Sequence, residues 1–124
     1  MNTQISIWEV FTILFIHWFA DFVLQTDEQA KGKASSWHHL LSHTLWYSIA
    51  FVMPVIIYCI VTTSESMLLF IPITFAAHTA TDYYTSRVNA QLYKGGKIHD
   101  FFVSVGFDQL LHFAQLLITF QLLK

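Results

Sequence analysis

Charge is what this sequence has least of. Only 11% of its 124 residues are Asp, Glu, Lys or Arg, against about 25% in an ordinary soluble domain. That shortage excludes a conventional water-soluble globule, and six Lys and Arg residues are too few for the basic face that a nucleic-acid partner requires. Cysteine is limited to Cys59, inside an apolar run, which excludes a disulfide framework and a cysteine metal site. Residues 1–5 lack the basic start of a cleavable signal peptide. The first apolar run carries His17 and Asp21 where a small-residue cleavage site would stand.

What is abundant is apolar side chain: 55% of residues are hydrophobic and 17% aromatic. They fall in four runs, at about 5–24, 37–61, 67–86 and 103–123. The runs predict an all-α polytopic membrane protein, one domain over 1–124 with four transmembrane helices. Pro54 is expected to kink the second span, and Pro72 fits the first turns of the third. Residues 25–36 and 87–97 read as polar loops, the second broken by Gly95-Gly96, and 62–66 as a tight turn. Residues 99–107 either lie along the interface or extend the fourth helix. Five of the six Lys/Arg residues (Lys31, Lys33, Arg87, Lys94, Lys97) occupy the first and third connections. The positive-inside rule then predicts a bacterial inner (cytoplasmic) membrane protein with loops 25–36 and 87–98 in the cytoplasm and both termini outside.

Each run carries polar side chains at a spacing of four: His17-x-x-x-Asp21, His39-x-x-x-His43, His78-x-x-x-Asp82 and Asp108-x-x-x-His112. Four residues on a helix make about 400° of rotation, so each pair shares a face one turn apart. All four pairs fall within roughly 12 Å of the cytoplasmic boundary at about 1.5 Å per residue, a common depth at which they can meet. HWFADF (17–22) echoes HTATDY (78–83), and HLLSH (39–43) echoes DQLLH (108–112). Two parallel helical hairpins related by an axis along the membrane normal would produce such a repeat.

An ionisable group in hydrocarbon costs several kcal/mol unless it is paired, hydrated or bound to a cation. Imidazole and carboxylate are ligands for Zn²⁺, Mn²⁺ or Fe²⁺, with zinc the leading expectation. The expected metal ligands are His17, Asp21, His39, His43, His78, Asp82, Asp108 and His112. One metal with supporting carboxylates and two metals sharing an aspartate fit equally. His-Asp hydrogen bonds that merely lock the helices are the plain alternative for any single pair. Asp21, Asp82 and Asp108 are the candidate catalytic carboxylates, since a hydrolytic metal site needs a general base. Gln25, Lys31, Lys33 and Arg87 border the same face and are the candidate substrate-binding residues, suited to an anionic headgroup or phosphate. The lysines and arginine equally suit contacts with anionic lipid.

The pattern HWFADFVLQTDEQAKGK (17–33), with LLSH (40–43), HTATDYYTSR (78–87) and DQLLH (108–112), resembles a family of small integral membrane proteins of bacteria and their phages, classed as a domain of unknown function. The resemblance implies a helical membrane protein and no assigned activity. More distantly, the His/Asp-rich helices are similar to those of membrane-bound metal-dependent hydrolases regulated in the DNA-damage response. That likeness implies a site of His17, Asp21, His43, His78, Asp82, Asp108 and His112, with Arg87 in the place of a basic residue after the His-x-x-x-Asp motif.

The expectation is therefore a membrane metalloprotein that hydrolyses a lipid-linked, amphipathic or phosphate-containing substrate at the cytoplasmic leaflet. Membrane lipids would be its partners, and self-association would be compatible with the role. A phage-type immunity or holin-like protein would need no buried ligand-type residues. An ion or proton transporter would need polar residues continuing into the outer leaflet, where 49–61 and 116–123 are nearly all apolar.

Overall fold

The computed structural model describes residues 4–124; helices joined by short turns account for them, without a β-strand. Helix α1 spans Ile7–Trp18. It begins at a capping box in which the Ser6 hydroxyl accepts from the Glu9 amide and the Glu9 carboxylate accepts from the Ser6 amide. It then widens into a π-helical turn, Phe19–Val23, closed by Leu24 N–H donating to the Phe19 carbonyl at 3.0 Å. The stretch expected as a simple polar loop contains a second helix, α2 (Asp27–Gly32), which Thr26 and Gln29 start with another capping box. Gln29 is buried, and its amide donates to Ser42 Oγ at 2.9 Å, which clamps α2 onto α3 (Trp37–Ile49).

The predicted kink in the second span is a break four residues ahead of Pro54. Helix α3 stops at Ile49 and α4 runs Val52–Thr62. Proline has no N–H for the carbonyl of residue 50, and its ring crowds that carbonyl. Thr63 then takes the left-handed conformation (φ 57°), and a 3-10 turn, Glu65–Leu69, replaces the expected tight turn. Helix α5 spans Phe70–Lys94, so most of the predicted polar loop 87–97 is helix. Its end is a Schellman motif: Lys97 N–H donates to the Leu92 carbonyl, Gly96 N–H to the Tyr93 carbonyl, and Gly96 sits at φ 70°. Helix α6 runs Ile98–Leu123 without interruption, so residues 99–107 extend the fourth helix.

Helix α5 packs against both α6 and α3, α1 lies against α6, and the π-turn faces α3. The bundle has two unlike ends. Ile13, Phe51, Val55, Met67, Phe70 and Phe120 form an apolar core at one end, beside an apolar cavity of about 270 Å³. Glu9 pairs there with Lys124 at 2.8 Å. The other end is polar inside: the described buried residues include His17, Asp21, His43, His78, Asp82, Asp108 and His112. Outward, the helices show Ile7, Trp8, Phe11, Trp46, Ile60, Val61, Phe102 and Leu122, each more than half exposed. Two helical stretches are long and apolar enough to cross a membrane, α3 with α4 (Trp37–Thr62) and α6 (Ile98–Leu123). The shorter α1 and the polar second half of α5 do not meet that measure.

Candidate metal centre

Six of the eight predicted ligands, Asp21, His43, His78, Asp82, Asp108 and His112, come to one place. His43 Nε2 is 3.1 Å from Asp21 Oδ1, 3.3 Å from Asp82 Oδ2 and 3.2 Å from His78 Nε2. His78 Nε2 is 3.5 Å from each of the same two carboxylate oxygens. Donors about 2.0–2.2 Å from a tetrahedral ion lie roughly 3.3–3.5 Å from one another. Five edges of this quartet are therefore close to that size. The quartet is poorly satisfied by hydrogen bonds alone. The two Nε2 atoms face each other, one proton can lie between them, and Asp21 Oδ1 has no aligned donor. The arrangement fits a cation held by Asp21, His43, His78 and Asp82.

A second group shares Asp21 and adds Asp108 and His112. His112 Nε2 lies 3.3 Å from Asp108 Oδ1 and 3.0 Å from Asp82 Oδ1. The rings are stacked in series: Tyr47 over His78 with centroids 3.8 Å apart, and His78 over His112 at 4.1 Å. Three aspartates and one lysine meet here. Counting the imidazoles as neutral, two negative charges remain, which one divalent cation would offset; a second ion would have to bring its own anion, such as hydroxide or an anionic substrate.

Lys33 supplies that one positive charge. It leaves the C-terminal cap of α2, and its ammonium donates to Asp82 Oδ2 at 2.9 Å with the side chain only 17% exposed. Burial pushes its pKa down, but the fields of Asp82 and Asp21 outweigh that and hold it above the ordinary lysine value. The residue expected to meet substrate is thus an internal counter-ion.

His17 does not join either ligand group. Its Nε2 donates to Gln109 Oε1 and its Nδ1 accepts from the Tyr47 hydroxyl, both at 2.7 Å, so both ring nitrogens are engaged. Gln109 passes this order on, its amide donating to Asp21 Oδ2 at 3.1 Å and Asp108 Oδ2 at 3.2 Å. Thr85 Oγ1 donates to Asp108 Oδ1 at 2.5 Å. His39 also stands apart: its ring packs over Gly32 and edge-on to His38, while His43, one turn later, enters the centre. Arg87 turns back on its own helix, donating to the Tyr83 carbonyl at 2.6 Å and stacking 3.6 Å from the Tyr83 ring. Gln109, Tyr47 and Thr85 were not among the expected residues. Gln109 adjoins Asp108 in sequence, and no spacing rule singled it out.

A cavity of about 550 Å³ opens beside the centre, with Asp21 and Asp108 in its wall and Gln25, Lys31 and Lys33 around it. Asp82 is not part of that wall. It is 1% exposed, enclosed by Lys33, His43, His78 and His112.

Comparison with known proteins adds a family and no chemistry. The family model described as a protein of unknown function, DUF3307, matches residues 10–124. No curated protein and no solved structure matches this chain.

Proposed function

We propose a function from the site itself, because the chain belongs to DUF3307, a family of proteins of unknown function. The reading is a four-helix inner-membrane metalloprotein, a hydrolase for an amphipathic substrate at the cytoplasmic leaflet. The carrying observation is the pair of ligand groups that share Asp21: the cavity wall takes Asp21 and Asp108, and leaves His43, His78 and Asp82 behind it. Asp21, His43, His78 and Asp82 offer four donors and suit a closed, structural ion. Asp21, Asp108 and His112 offer three, the number that leaves a position for a reactant. Zinc suits both donor sets, as do manganese and iron.

When bound, the ion supplies Lewis acidity to the reaction. The chain's own residues do the rest. Asp108 stands at the cavity wall, held by Thr85 and Gln109; with one carboxylate oxygen on the ion, the other can take a proton from an attacking water. Gln109 and His17 fix Asp21 in place, and Asp82, away from the cavity, serves the structural ion and Lys33. The apolar outer surface supports placement in a bilayer with four spans. The basic residues of α2 and the α5–α6 turn support a cytoplasmic position for the cavity mouth.

Elemental analysis of detergent-purified protein tests this reading. Stoichiometric transition metal is expected in the wild type, with at least half lost in both Asp82→Ala and His112→Ala. Absence of metal from wild-type protein, with function intact in His78→Ala, would overturn it.

A further inference from the structure

The 550 Å³ cavity carries more than its two carboxylates. Ser86 is only 7% exposed, lines the cavity and has no partner for its hydroxyl. Gln25 Oε1 and Asn89 Oδ1, also in the lining, are buried and equally without a partner. Buried polar atoms are almost always satisfied, so these three around a single cavity set what a ligand bound there would have to offer. Two amide oxygens call for hydroxyl or amine donors, and the serine can donate or accept. Lys31 and Lys94 add positive charge to the wall, both without the buried carboxylate that holds Lys33. Tyr93 and Phe101 supply an apolar side.

The lining also follows the internal repeat. Gln25 lies as far beyond His17 as Ser86 lies beyond His78, and the same is true of Lys33 and Lys94. The two halves of the chain thus contribute matching positions to the cavity. One ammonium of the second pair turned inward to Asp82, and the other remained at the mouth.

From these contacts we infer that the cavity is a binding site for a phosphate ester of a polyol, the phosphate held by Lys31 and Lys94 and the hydroxyls by Gln25, Ser86 and Asn89. The inference rests on reading the neighbouring centre as a site that meets substrate, and it names the class of that substrate. The shared chemistry is a glycerol phosphate group, whether free in the cytoplasm or in a lipid headgroup.

The test uses full-length protein in detergent as purified, with inorganic phosphate as the control for binding at the ion. Binding is followed by calorimetry and phosphorus NMR with sn-glycerol 3-phosphate, dihexanoyl phosphatidylglycerol, inorganic phosphate and glycerol. Saturable binding of a glycerol phosphate probe, tighter than inorganic phosphate, is expected. Tighter binding of the short-chain lipid assigns the headgroup as the source, and tighter binding of the free ester assigns the soluble one. The Lys31→Ala/Lys94→Ala variant should bind roughly tenfold more weakly, with Arg at both positions restoring most of the affinity. Asn89→Leu and Ser86→Ala should erase the preference over inorganic phosphate while leaving phosphate affinity within about twofold. Unchanged affinity in the double lysine variant, or no binding of either glycerol phosphate probe to wild-type protein, overturns the inference. Metal content of the same preparations separates the two readings. Phosphate binding without stoichiometric metal removes the hydrolase and leaves this site, whereas metal without phosphate binding does the reverse.

Discussion

Lys33 and a divalent ion held by the quartet would draw on the same oxygen of Asp82. Replacing Lys33 with Met takes away the one ammonium that, among the described residues, pairs with a buried carboxylate of the centre, and breaking such a pair costs about 3 kcal/mol. The metal-free Lys33→Met protein should therefore unfold earlier in a denaturant titration. Its affinity for Zn²⁺ should nevertheless rise, by roughly tenfold, since a competing cation has gone; competition with a chromophoric chelator measures this. Weaker zinc binding would show that Lys33 and the ion cooperate. Gln109 is the other residue on which much converges. Gln109→Leu keeps the volume but strips His17 of an acceptor and Asp21 and Asp108 of donors. A loss of about 2–3 kcal/mol is expected, readable as a lowered thermal midpoint, with metal occupancy reduced alongside it.

Among elements, α2 shows most clearly what the sequence could and could not disclose. Its capping box, Thr26 with Gln29, was present in the chain, but a six-residue helix between two apolar spans has no periodicity to announce it. Its seat on α3 depends on Gly32, where a Cβ would overlap the His39 ring. Gly32→Ala should cost about 1–3 kcal/mol, and the cost should shrink in a His39→Ala background, where the ring is absent. Metal content of His39→Ala should match wild type, because the ring meets Gly32 instead of the ligand quartet; loss of metal would return His39 to the ligand set. The four-residue spacings on α1, α3, α5 and α6 were legible because one helical turn brings ligand-type side chains to one face regardless of tertiary detail. The reach of Lys33 across to α5, the role of Gln109 and the continuation of α5 past Ser86 depend on partners in other elements, and no local pattern encodes them. The break before Pro54 was foreseen in kind and displaced in position, since proline acts on the carbonyl four residues back.

At the level of the whole molecule, polarity is arranged inside out. Aromatic and aliphatic side chains face outward along the helices, and His17, Asp21, His43, His78, Asp82, Asp108 and His112 are enclosed at one end. Single-cysteine labelling in a Cys59→Ser background checks the proposed orientation in inverted and right-side-out bacterial vesicles. Ser35→Cys should react with an impermeant maleimide only in inverted vesicles, and Glu65→Cys only in right-side-out ones; the opposite pattern would reverse the topology. Added Zn²⁺ at 100 times its dissociation constant should stabilise the folded protein by about 2.7 kcal/mol, followed as a rise in thermal midpoint that a chelator cancels.

The π-turn at Phe19–Val23 has a consequence for how this chain can vary in length. An extra residue accommodated inside a helix rotates whatever follows by about 100° relative to what precedes. Here it lies between His17, which orders Gln109, and Gln25, at the cavity, with Asp21 inside the turn itself. Excising one residue between His17 and Gln25 would leave the helix more regular and the centre out of register.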